Sequence, residues 1–392
     1  MATAVHNTGT AVRLQFIDNI RWALIVLVIL HHSAVTYSHV GSWYYNESPA
    51  PGLAITLILA TFLTFNQAYF MGFLFLIAGY FAPAAFDRKG FGTFVRDRAI
   101  RLGIPSLLFM LVIHPVIVYW LLRDFYEPSR PPLWKAYGPF LASGRVLSAS
   151  GPMWFAVALL FFCVAYALFR LISKNQDAPP TREANASLPT HWQVIGLALC
   201  ISVSTFLVRI FQPVGASVLN MQFCNFSQYV ALFAVGIVAY RRNWLLRIPF
   251  GFGIAWLRFA LIVGVPMWGV VLLSSGIFHG QPLTPILGGV HWQSGLNCLW
   301  ESFFCMGMSL GVLVLFRDKF NMQGKFAKFM TRNAFAAYLF HTPLLIAVTL
   351  SLHTLPAAPL VKFAVAGVLA VPITFLACEF IFRQIPGLKQ II

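Results

Sequence analysis

Charged residues are scarce in this chain, and acidic ones scarcest. Asp and Glu number 11 against 27 Lys and Arg, and together they make up 10% of 392 residues. A soluble globular protein carries about 25%. With 59% hydrophobic residues, the shortage excludes a water-soluble fold and points to an integral membrane protein. Cysteine is also sparse, with no CxxC pair: the six, at 163, 200, 224, 298, 305 and 378, all lie in apolar segments. They read as packing residues rather than a disulfide framework or a metal site. No two His, Cys or carboxylate positions show ligand spacing on one helix face, so no metal is expected. A Gly-rich phosphate loop and a nucleophilic serine elbow are both missing. The stretch to residue 12 holds no apolar core followed by a cleavage site, so no removed signal peptide is expected.

What is present is a series of long apolar runs. Ten spans of about bilayer length are read at roughly 20–40, 55–81, 99–122, 152–172, 191–211, 222–240, 255–278, 292–316, 333–353 and 359–382. Each is expected to be helical, because lipid cannot satisfy open backbone groups. The expected fold is therefore all-α: a polytopic, multi-pass membrane protein in one domain, residues 1–392, with no repeat. The net charge of +16 belongs to short loops between apolar runs, so it reads as membrane topology and not as nucleic-acid binding. One set of loops holds twenty Lys and Arg. The other holds six: Arg123, Arg130, Lys135, Arg145, Arg209 and Lys362. That asymmetry predicts cytoplasmic termini. Residues 174–190 are polar and proline-containing, and read as a flexible cytoplasmic loop. The long outer loop 123–151, with its prolines and aromatics, reads as an ordered cap.

Four features carry ionisable or unusual groups. First, His31 and His32 lie in the middle of span one, eleven residues after Arg21. Eleven residues are about three helical turns plus 20°, so Arg21 and His32 share a face while His31 turns away by about 100°. They lie some 16 Å apart along the axis, with Arg21 at the surface and His32 near the midplane. Second, Arg98 and Arg101 lie three apart at the mouth of span three, on one face. Paired guanidinium groups suit a phosphate-bearing ligand; the plainer alternative is contact with anionic headgroups of membrane lipids. Pro105 is expected to kink that span. Third, Glu301 lies about 14 Å deep from the outer end of span eight, and His341 about 12 Å deep from the inner end of span nine. With His32 they form a candidate polar centre, or else a structural pair between helices. Fourth, Gly151-Pro-Met-Trp154-Phe155 opens span four, where a Trp is usually an interface anchor.

Taken in order, Phe16-Ile-Asp18-Asn-Ile-Arg21 with His31-His32, Phe73-Leu-Phe-Leu-Ile-Ala-Gly79, Arg98-Ala-Ile-Arg101-Leu-Gly-Ile-Pro105, Gly151-Pro-Met-Trp154-Phe155, Ala337-Tyr338-Leu-Phe-His341 and Phe382-Arg-Gln-Ile-Pro-Gly387 resemble the acyltransferase-3 family of integral membrane acyltransferases. No one motif is specific; the ordered set over residues 13–387 is. The resemblance implies an O-acyltransferase that takes an acyl group, acetyl or succinyl, from cytoplasmic acyl-CoA and delivers it to a hydroxyl of a carbohydrate or glycan acceptor. It implies a multi-pass protein of the cytoplasmic (inner) membrane. It further implies that His32 is the essential span-one histidine, Arg21 its upstream partner, and Arg98 and Arg101 the arginine pair. Some members carry a C-terminal hydrolase-like domain; this sequence stops at Ile392 without one, from which direct transfer is expected.

On this reading Arg21, Arg98 and Arg101 bind the acyl-CoA phosphates. A neutral His32 takes the proton of the acceptor hydroxyl, or carries the acyl group itself, with Glu301 and His341 completing the catalytic set. Acyl-CoA is a co-substrate, and no permanently bound cofactor is expected. The competing classes are a secondary transporter, or a glycan or lipid flippase, which also place ionisable residues at the midplane.

Overall fold

The structure is a computed structural model and describes residues 13–173 and 186–391. The greater part of the loop read at 174–190, including Lys174, Arg182 and Asn185, lies outside the described residues. Among the described residues the only extended pairing is a single bridge between Val218 and Met221; the rest is helix and connection.

Among the described residues nine helical stretches are long and apolar enough to cross a bilayer. The second, Leu53–Phe125, runs 73 residues and breaks at Gly90 (φ 71°), so its length accommodates two of the ten expected spans. The helices are α1 (Gln15–Ser38), α2 (Leu53–Arg98), α3 (residues 99–125), the short α4 (Leu133–Ala142), α5 (Trp154–Ile172), α6 (His191–Phe211), α7 (Phe226–Arg241), α8 (residues 250–274), α9 (Trp292–Lys319), α10 (Lys325–Ser351) and α11 (Pro359–Phe380). Side-chain contacts show that α2 and α3 run antiparallel. Arg21, near the start of α1, lies over Phe81 late in α2 and close to Arg98. Beyond the other end of α1, Tyr44 bonds His114, late in α3.

Local chemistry accounts for several boundaries. Thr190 and Gln193 cap the start of α6 reciprocally, the pattern of a capping box. α10 begins at Lys325, eight residues before the expected apolar start at 333, because Lys325, Lys328 and Arg332 form a charged first stretch of the same helix. Hydropathy registers only the apolar part of such a helix. α3 alternates ordinary turns with wide π-type turns at Ala99–Gly103, Phe109–Ile113 and Ile117–Leu121. Pro105 and Pro115 follow the first two and lack an N–H to donate.

Packing is closest between α2 and α7. A Cβ added at Gly79 would stand 2.1 Å from the Phe233 carbonyl oxygen, so only glycine lets these backbones approach as they do. α1 packs against α2, α10 and α11 and so runs through the bundle interior. Ion pairs tie the charged ends: Asp87 of α2 holds both Arg170 of α5 (2.9 Å) and Arg241 of α7 (2.8 Å), and Arg332 pairs with Glu379. Two of the six cations assigned to the outer loops are not loop charges. Arg209 is fully buried in an ion pair with Glu301, and Lys362 is buried against Glu47. A charge counted from sequence at the end of a span carries no sign of whether it points outward or into the bundle.

Candidate active site

Two of the three expected centre residues meet. His341 of α10 is fully buried, and its Nε2 lies 3.1 Å from Nδ1 of His32 on α1. The imidazoles are nearly parallel, 21° apart with centroids at 5.2 Å. The other nitrogen of His341, Nδ1, donates to the backbone carbonyl of Tyr338, 2.8 Å away and one turn earlier on α10. A carbonyl only accepts, so the proton of a neutral His341 is assigned to Nδ1 and its Nε2 is an acceptor. His32 Nδ1 must then be the donor in the inter-histidine bond. That leaves the lone pair of a neutral His32 on Nε2, outside the pair. One backbone carbonyl thus sets the tautomers of both rings.

The surroundings hold this geometry. Tyr338 stacks on His341 (centroids 6.3 Å, 23°), and its hydroxyl donates to the Pro152 carbonyl. Asn220 donates to Ser150 (3.0 Å) and to the Gly151 carbonyl (2.8 Å). Gly151 itself has φ +48°, and an added Cβ would stand 2.5 Å from Phe109 and 2.7 Å from the Tyr44 hydroxyl; the position requires glycine. The Gly-Pro-Met-Trp sequence is therefore a bracket for α10 beside the histidines. Trp154 stacks on Tyr229 within the bundle (5.7 Å, 27°), away from the interface role its position suggested. Beyond the end of α1, residues 39–52 form a strap. From it Trp43 lies flat on His32, with centroids 4.0 Å apart and planes 14° apart.

His31 turns aside as expected. It meets His32 edge-on at 88° and packs on Phe70, and its Nδ1 is buried without a partner among the described residues. Arg21 lies ten residues earlier on α1, over Phe81, which is eleven residues after Phe70 on α2. The two helices thus run side by side from the arginine level to the histidine level.

Glu301, expected beside the histidines, stands elsewhere. Its carboxylate takes a 2.6 Å bond from Arg209 on α6, and Arg209 also donates to Asn225 (3.0 Å). Gln67, Thr205, Gln228 and Ser302 line a small polar cavity beside it. The depth of Glu301 could be counted from sequence, but the rotation of α9 could not, and that rotation turns it toward α6. Arg98 and Arg101 form no ion pair within 4.0 Å among the described residues. Arg98 lies 5.2 Å over the Phe94 ring, Arg101 is exposed, and Arg21 is close enough to Arg98 for their charges to repel. Among the described residues the one ion pair of Arg21 is with Asp18, at 3.5 Å. Arg21 and Arg98 thus bring two cations together, as an anion site requires, while Arg101 lies exposed with Asp97 in its neighbourhood. No group of three or more His, Cys, Asp or Glu among the described residues is placed to hold a metal. Trp43, Tyr338 and Arg209 had no separate sequence signal for these positions, apart from the neighbourhood of Tyr338 to His341.

Comparison with known proteins gives the family. The family model described as "Acyltransferase domain" (acyltransferase-3) matches residues 14–379. Among curated proteins, "Glucans biosynthesis protein C" of Salmonella schwarzengrund (strain CVM19633) is 29% identical over 238 residues, 59% of this chain and 59% of the relative. The protein of the same name from Salmonella typhi matches to the same extent. That of Salmonella paratyphi B (strain ATCC BAA-1250 / SPB7) is 29% identical over 181 residues, 45% of this chain and 44% of the relative. The matched region thus spans between 44% and 59% of these relatives' length. No solved structure matches. The chain belongs to the acyltransferase-3 family.

Proposed function

From that membership and the paired histidines, we propose that this membrane acyltransferase moves an acyl group, acetyl or succinyl, from cytoplasmic acyl-CoA to a hydroxyl of a carbohydrate. The glucans in the relatives' name make a glucan the first acceptor to try. The observation that carries the reading is the Tyr338 carbonyl–His341–His32 chain of hydrogen bonds, which leaves a lone pair on His32 Nε2.

Arg98, Arg101 and Arg21 take the phosphates of the nucleotide end. The thin arm of the donor then reaches inward along α1, over the roughly 16 Å from the arginines to the histidines. At its end the thioester carbonyl meets the acceptor hydroxyl. His32 Nε2 removes the hydroxyl proton as oxygen attacks carbon, and returns it to the departing thiolate sulfur. His341 holds the plane of His32 and shares the charge that develops on it. General-base work contributes typically 10²–10⁴-fold, so positioning of the two substrates supplies the remainder. In this reading both termini are cytoplasmic, the protein resides in the cytoplasmic membrane, and the Arg209–Glu301 pair joins α6 to α9 outside the reacting centre. The test is thiol release from acetyl-CoA and succinyl-CoA by purified protein with a soluble β-glucan oligosaccharide. Release that depends on His32 supports the reading; release unchanged in His32→Ala refutes it.

A further inference from the structure

Trp43 presents an indole N–H that is buried and has no hydrogen-bond partner among the described residues. A buried unpaired donor is costly, and native structures hold few of them. This one is held in place with care. Tyr44, next in the chain, bonds His114 (2.8 Å), and Tyr45 bonds His353 (3.0 Å). Glu47 is paired with buried Lys362, and its backbone is bonded to Thr36 and His39. The strap is therefore anchored to α1, α3, α11 and the α10–α11 connection while Trp43 lies flat on His32.

The stacking geometry says what the N–H can reach. An indole N–H lies in the ring plane, so it cannot bond an imidazole stacked on its face. It emerges at the edge of the stack, as does the in-plane lone pair of His32 Nε2. Other partnerless buried atoms stand nearby in sequence: His31 Nδ1, Ser33 Oγ and Thr342 Oγ1. Each lies one residue from a member of the histidine pair and so points about 100° away on its helix. Of these groups only Trp43 stacks face to face on the reacting ring; His31 meets it edge-on.

We propose that the Trp43 N–H is the oxyanion donor of the transfer and that Trp43 is a catalytic residue; this rests on His32 being the base. As the acceptor oxygen bonds to the thioester carbon, its proton passes to His32 Nε2. The carbonyl π pair moves onto oxygen, and that oxyanion accepts the Trp43 hydrogen bond. The pair then returns, the C–S bond breaks, and the thiolate takes the proton from His32. No further reactant is needed.

The test replaces Trp43 by β-(3-benzothienyl)alanine, in which sulfur stands for N–H at nearly the same ring size, with Trp43→Phe alongside. Turnover of acetyl-CoA and succinyl-CoA is read with the β-glucan oligosaccharide. The expected result is a fall in kcat of about 10²–10³-fold with KM for acyl-CoA within about twofold, and unchanged thermal melting. Parent-like kcat in the benzothienyl variant, with His32→Ala inactive, overturns the proposal and leaves the base assignment standing. Raised KM at unchanged kcat also overturns it, since a ground-state contact is then what was lost. An active His32→Ala removes the base assignment and this proposal together.

Discussion

Two polar centres lie inside the apolar bundle, and they are built on opposite principles. At the Arg209–Glu301 centre a full cation meets a full anion at 2.6 Å, with Asn225 on the same guanidinium. Its charges are cancelled locally, although the Arg209 Nε is left without a partner among the described residues. At the His32–His341 centre the groups can be neutral, one hydrogen bond joins them, and a ring lone pair and the stacked Trp43 N–H are left uncommitted. A bilayer interior tolerates both, but only the second sets an uncommitted neutral base beside a free donor. Burial of an ionisable residue in a span therefore does not identify a reacting centre; an uncommitted base does.

That contrast can be broken at several points. The largest effect is expected from His32→Ala, which should abolish transfer, by at least about 10²–10⁴-fold, while expression and thermal stability stay near those of the parent. Equal loss in His31→Ala would dissolve the distinction between the two neighbours. At the other centre the signature reverses. Glu301→Gln or Arg209→Met should lower stability by about 3–5 kcal/mol, because each leaves a buried charge without its partner. The double variant Arg209→Met/Glu301→Leu should recover much of that loss in a thermal or denaturant melt; additive losses would mean the pair is not the tie between α6 and α9.

A smaller effect is expected at the arginine end of the bundle. Arg98→Ala with Arg101→Ala should raise KM for acyl-CoA by about an order of magnitude, and Lys should restore it only in part, for want of a two-pronged donor. Added salt should weaken binding more in the parent than in the double variant. Identical acyl-CoA titrations would make these arginines topological residues only. The smallest change is expected for His31→Ala, a few-fold at most, since its ring meets His32 edge-on and packs on Phe70.

The sequence disclosed the crossings well. Spans read at 191–211 and 152–172 meet helices His191–Phe211 and Trp154–Ile172, because hydropathy and length decide a span almost alone. It failed where charge continues a helix, as at Lys325, and where the rotation of a helix decides a partner. His32 and His341 could be matched in depth and do meet. Glu301 could be matched in depth as well, yet it faces Arg209, since an apolar span looks much the same from every side in one sequence. Trp43 lay in an ordinary polar loop. Its place against His32 depends on anchors at residues 114, 353 and 362, contacts that no local pattern encodes.

The most direct test compares His341→Gln with Glu301→Gln, as kcat per folded molecule of purified protein in the thiol-release assay. The expected result is a loss of about 100-fold or more for His341→Gln, since its bond to His32 sets that ring, and a change within a few-fold for Glu301→Gln once folded protein is counted. A large loss in Glu301→Gln beside near-parent turnover in His341→Gln would contradict the assignment of the two centres.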